Sequence, residues 1–200
     1  MSRVTDSTKK VITETALKMF VSNSISKVRL YDIANKANVG EATIYRHFGN
    51  KQNVVIAAAI DLSNKISINY LREDENKSGF ELIKDFYETF LKIFKTTNYY
   101  SFLNELDSYL QEEEFQGRDK YQDNVESYRC LFMKDYQKGV ADGTLREIPD
   151  IEVFYYSTTH SIVALCKKLS TKKILAQDEI IDKEKEIVVL INIFLNYLKK

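Results

Sequence analysis

A single proline, Pro149, and six glycines are all that 200 residues offer as turn formers. Sandwiches and barrels need such residues every eight to twelve or so positions, and phosphate-cradling loops need clustered glycine. Both are excluded in favour of helices joined by short loops. The apolar residues agree. Tyr121, Val125, Tyr128, Phe132, Tyr136 and Val140 step by three or four positions, a single stripe on a helix that Gly143 stops.

Read along its length, the chain is all-α with about nine helices. Thr5, Asp6 and Ser7 offer capping oxygens to a first helix carrying Ile12, Ala16, Met19 and Phe20. Leu30, Ile33, Ala34 and Ala37 mark a short second helix. Asn38-Val39-Gly40 interrupts it, and Thr43, Ile44, Tyr45 and Phe48 begin a third. Gly49-Asn50 ends that, with Asn50 able to cap a long fourth helix. Beyond, residues 72–79 and 112–120 are expected as loops, the latter including the acidic triplet Glu112–Glu114. A helix starts at Pro149-Asp150, and a last one at about Asp178 with Ile180, Ile187, Ile191, Phe194 and Leu198 on its stripe.

Charge is unevenly spread. Residues 1–51 hold nine basic side chains against four acidic ones, a net of +5, while the whole chain is neutral and residues 52–200 carry −5. A basic quarter on an acidic remainder describes a small polyanion-binding module on a larger body. The apolar-rich run Ile187–Leu198 is too short for the roughly 20 residues of a membrane span. With no apolar signal core at the N-terminus, a cytoplasmic protein is expected. Cys130 and Cys166 lack any metal-ligand spacing and are expected as reduced, packed thiols.

The informative stretch is LYDIANKANVGEATIYRHF, Leu30 to Phe48. A helix-turn-helix needs a small residue where its helices cross, a residue tolerant of left-handed backbone at the turn, and apolar residues to hold the pair. Ala34, Asn38 and the set Val39/Ile44 meet those needs at the right offsets. The second helix then presents Glu41, Ala42, Thr43, Tyr45, Arg46 and His47 outward, on a cylinder that fits a major groove.

From Ala16 to Lys51 the sequence resembles the DNA-binding domain of the TetR family of bacterial transcription regulators, through ALKMF and LYDIANKANVGEATIYRHFGNK. Departures from the family pattern are Ser24, Arg29, Asn38 and Gly40, where the family more often has Gly, Thr, Gly and Ser. The resemblance implies a three-helix DNA-binding domain at residues 1–50 and a helical effector-binding and dimerisation domain at 51–200. It implies a homodimer, formed through the last two long helices, that binds a palindromic double-stranded operator and is released by a small effector. Position by position, Glu41, Ala42, Thr43 and Arg46 are expected at base edges. Tyr45, His47, Arg29, Tyr31 and Lys51 are expected at phosphates.

Seventeen of the 24 Phe and Tyr residues fall between Phe80 and Tyr156. Such rings suit an apolar or aromatic effector, although aromatic stripes on helices also build cores. Tyr99, Tyr100, Phe102, Tyr128, Phe132 and His160 are the expected pocket residues, His160 fitting a core or interface position equally well. Two histidines 113 positions apart and two isolated cysteines form no catalytic or metal-binding constellation, so neither an enzyme nor a cofactor is expected. The competing reading is a ligand-independent DNA-bound factor that acts through a protein partner.

Overall fold

The stripe through Ile12, Ala16, Leu17 and Phe20, all buried, makes α1 (Ser2–Ser22) amphipathic. The computed structural model describes residues 2–70, 74–110, 118–171 and 180–200, and these hold nine helices. After α1 come α2 (Leu30–Ala37), α3 (Glu41–Phe48), α4 (Lys51–Tyr70), α5 (Gly79–Thr96), α6 (Tyr99–Tyr109), α7 (Arg118–Ala141), α8 (Ile151–Ser170) and α9 (Lys183–Leu198). The all-α expectation holds. The chain falls into two compact units, one of residues 1–66 with 101–124, the other of 67–100 with 125–200.

In the first unit α1 packs on α2 and α2 on α3. Ile33, Ala34, Ile44 and Phe48 are buried beneath them with Val54, Val55 and Ala58 of α4. The isoleucines, valines and phenylalanine among them contribute about 1.5–3 kcal/mol each when fully withdrawn from water. Asn50 caps α4 as expected, its Oδ1 accepting from Asn53 N–H at 2.9 Å.

The second unit is built on rings. Phe132 lies 5.2 Å from Phe86 and 5.0 Å from Tyr155 between centroids, and Tyr87 lies 5.3 Å from Phe194. The Tyr87 hydroxyl finds Thr158 Oγ1 at 2.7 Å, satisfying both polar groups inside the cluster. The N-terminus of α5 is capped twice over. Ser78 and Glu81 form a reciprocal capping box, while Gly79 N–H and Phe80 N–H donate to Asp142 and Thr144 beyond α7.

Several boundaries differ from the sequence reading. Helix α1 already runs through positions 5–7, so Asp6 and Ser7 are inside it and not at its cap. Helix α7 begins at Arg118, so Asp119 and Lys120 are helical; residues 112–117, with the acidic triplet, lie outside the described residues. Helix α9 begins at Lys183 because Asp182 caps it, accepting from Glu184 N–H and Lys185 N–H. Ile180 therefore precedes the helix and is 82% exposed, and Asp178 lies outside the described residues. Val125 is exposed rather than on the buried stripe of α7. The α5–α6 break has neither Gly nor Pro: extended Thr97 makes it, its hydroxyl accepting from Tyr99 N–H and donating to Ile93 O. Cys166 is packed as expected, but Cys130 is exposed.

Candidate nucleic-acid interface

The turn between α2 and α3 depends on one residue. Asn38 sits at φ 56°, ψ 44°, in the left-handed region that its short polar side chain tolerates. The turn closes with Val39 N–H on Ala34 O at 3.0 Å and Asn38 N–H on Asn35 O at 3.2 Å. Ala34 at the crossing is buried, as close helix approach requires. Gly40 precedes α3 at φ −72°, a conformation open to any residue, so its role there does not depend on being glycine.

With Ile44 and Phe48 buried, the opposite side of α3 faces outward. Ala42, Tyr45 and Arg46 are exposed, and Glu41, Thr43 and His47 are half-buried along its edges. Tyr31 of α2 is also exposed, at 55%. These are the residues that sequence reasoning assigned to DNA, and the fold brings them onto neighbouring helices. A helix presenting a guanidinium and a phenol in this way can enter a major groove and bond base edges and phosphates.

Two expected phosphate contacts are engaged otherwise. Arg29 folds back on Asp32 in a two-pronged pair, Nε and Nη2 each 3.1 Å from a carboxylate oxygen. That pairing raises the arginine pKa and lowers that of Asp32. Lys51 donates from Nζ to Ile25 O at 2.5 Å, and desolvation lowers its pKa. Sequence reasoning missed Glu105 of α6, which accepts from Ser24 and Ile25 in the turn after α1. No local pattern marks it, because 80 positions separate the partners.

The expected effector residues are divided between the two units. Phe102 stacks on Phe20 in the first unit. In the second unit Tyr100 is buried, donating to Phe90 O at 3.3 Å, and Phe132 is at the centre of the ring cluster. Tyr99 and Tyr128 are half-buried, and His160 is exposed beside the Tyr156 ring. A cleft of about 760 Å³ does lie in the second unit, and none of the six lines it. Its walls are mixed: Leu82, Phe86 and Leu131 alternate with Asp74, Lys77, Asp85, Lys92 and Asp135. Among the described residues no cluster of His, Cys, Asp and Glu could hold a metal ion, and no helix is long and apolar enough to cross a membrane.

Residues 12–58 match the family model described as bacterial regulatory proteins, tetR family. No curated protein matches. Among solved structures, one from Saccharomonospora viridis, described as a transcriptional regulator in complex with choline, is similar over 98% of this chain and 99% of its own (TM-score 0.72, 18% identity). The transcriptional regulator FadR from Bacillus subtilis, in complex with stearoyl-CoA, is similar over 94% and 98% (TM-score 0.63, 16% identity). A TetR-family transcriptional regulator from Haemophilus influenzae is similar over 99% and 100% (TM-score 0.62, 17% identity). At these identities the likeness is one of fold.

Proposed function

We propose, from the match of residues 12–58 to the tetR-family model, that the chain is a TetR-type repressor that binds a palindromic operator as a homodimer and leaves it when a small effector binds. The observation that carries this reading is the outward face of α3, where Ala42, Tyr45 and Arg46 are exposed over a buried Ile44 and Phe48. Arg46, with Glu41, Ala42 and Thr43, reads base edges; Tyr45, His47 and Tyr31 meet phosphate. Arg29 joins them by exchanging Asp32 for a phosphate oxygen.

The dimer reading is supported by the free face of α8 and α9. Val153, Tyr156, Val189, Ile193 and Tyr197 are all more than 40% exposed in the single chain. Val189 and Ile193 also line a groove with Leu165, Leu190 and Ile181, edged by Lys185 and Glu186. A second copy covers such a face by two-fold symmetry and sets two α3 helices one turn of DNA apart, about 34–36 Å.

The effector reading is supported by the 760 Å³ cleft. Its carboxylates and ammonium groups suit a polar effector better than the apolar one expected from the aromatic content. A ligand that prefers a dimer with its reading heads misplaced lowers operator affinity by its differential affinity for that state.

Selection of duplexes from a random library by the full-length chain tests the proposal. Enrichment of a palindrome with two half-sites is expected. Recovery of unenriched sequence would refute it.

A further inference from the structure

Glu105 lies on α6, and its Oε2 accepts two hydrogen bonds from the turn after α1: Ile25 N–H at 2.6 Å and the Ser24 hydroxyl at 2.9 Å. The carbonyl of the same Ile25 accepts from Lys51 Nζ at 2.5 Å. The two peptide groups flanking the Ile25 Cα are therefore held from both sides, one by α6 and one by the first residue of α4. The Ile25 side chain is buried beneath them. Phe102, three positions before Glu105 and so on the same face of α6, stacks on Phe20 of α1 with planes 10° apart and centroids at 6.1 Å. Leu106 beside them is buried as well. Helix α6 thus sets one ring against the end of α1 and one carboxylate against the turn behind it.

That turn fixes the direction in which the chain leaves α1 for α2 and α3. Lys27 N–H and Val28 N–H bond back to Ser24 O at 3.0 and 3.3 Å, and Val28 and Leu30 then enter the core. A carboxylate receiving a backbone N–H is a charge-assisted bond, shorter and more directional than a neutral one. From this geometry we infer that Glu105 is a positioning residue for operator recognition, holding the α1–α2 turn and through it the orientation of α3. It acts through the turn and is not a DNA contact. The inference rests on the DNA-binding reading above.

The test compares full-length wild type, Glu105→Ala and Glu105→Gln by fluorescence anisotropy on two duplexes, the one enriched by wild type and a scrambled version. Circular dichroism confirms the folded state at the assay temperature. Glu105→Ala is expected to bind the enriched duplex about ten-fold more weakly, the loss of one well-placed base contact. Its affinity for the scrambled duplex, set by phosphates, stays unchanged. Glu105→Gln keeps a neutral acceptor and loses about three-fold. A folded alanine variant that matches wild type on the enriched duplex, or that weakens equally on both, overturns the inference. If the alanine variant does not fold, the glutamine variant decides by the same comparison: a selective loss supports the inference and an unchanged affinity overturns it. A wild type that enriches no duplex removes the DNA-binding reading and this inference together, whereas an enriched duplex with unaffected variants removes this inference alone.

Discussion

The Lys51 ammonium donates to the carbonyl oxygen of Ile25 at 2.5 Å, joining the first residue of α4 to the turn after α1. Partial burial lowers its pKa. On this geometry Lys51 is expected to brace the turn after α1 and not to neutralise a DNA phosphate. Lys51→Met should therefore leave the dependence of log affinity on log salt unchanged. A lost phosphate contact would reduce that slope by about 0.9 per subunit. Salt titration of operator binding distinguishes the two, and urea unfolding should show a loss of about 1 kcal/mol.

Gly79 of α5 packs directly against the Gly139 backbone of α7. A Cβ on Gly79 would lie 2.0 Å from Gly139 N and 2.1 Å from its Cα, both backbone atoms that cannot turn aside. A Cβ on Gly139 would instead meet the Leu145 side chain, at 2.4 Å from Cδ1. Gly79→Ala should cost about 3 kcal/mol or more, and Gly139→Ala less, because a leucine can shift rotamer. Urea midpoints at constant m-value measure both.

The two thiols should behave differently. Cys166 is fully buried and burial pushes its pKa up to about 12, whereas Cys130 is exposed on α7, its Sγ 3.8 Å from a Glu126 carboxylate oxygen. An aromatic disulfide reagent at pH 8 should titrate one thiol in the native protein and the second only in denaturant. The folded pKa of Cys166 lies above its reference value of 9.0, so its share of stability is complete below pH 9 and is lost as pH rises toward 12. Cys166→Ala should flatten that alkaline decline. Equal reactivity of both thiols in the native state would contradict the packing.

Much of this was legible from local chemistry. Asn38 was recognisable as the left-handed turn residue and Ala34 as the crossing residue, because both roles depend on residue type at fixed offsets. The capping of α4 by Asn50 followed for the same reason. What stayed hidden depends on distant partners. Glu105 reads as one more surface acid until α6 lies against the turn 80 positions earlier. Arg29 reads as a free cation until Asp32 claims it. The aromatics are ambiguous for a related reason. A ring on a helical stripe looks the same whether it closes a core or lines a cleft, and Phe132 and Phe102 turned out to be packed against other rings.

In the proposed dimer the exposed face of α8 and α9 is the interface. Val189 and Ile193 are each 58% exposed in the single chain, so charges there should change folded stability by less than about 0.5 kcal/mol. The double variant Val189→Asp, Ile193→Asp should stay helical and run as a monomer by size exclusion with light scattering, where wild type runs as a dimer. A wild type that is monomeric at micromolar concentration would contradict this assignment.

In the proposed function α3 reads bases, with Arg46 its sharpest reader because a guanidinium can bond O6 and N7 of one guanine together. The direct measurement is operator affinity of Arg46→Ala across duplexes substituted singly at each position. A loss of roughly 1–3 kcal/mol with preference relaxed at one base pair of each half-site is expected. Uniform weakening on every duplex, or no weakening at all, would contradict it.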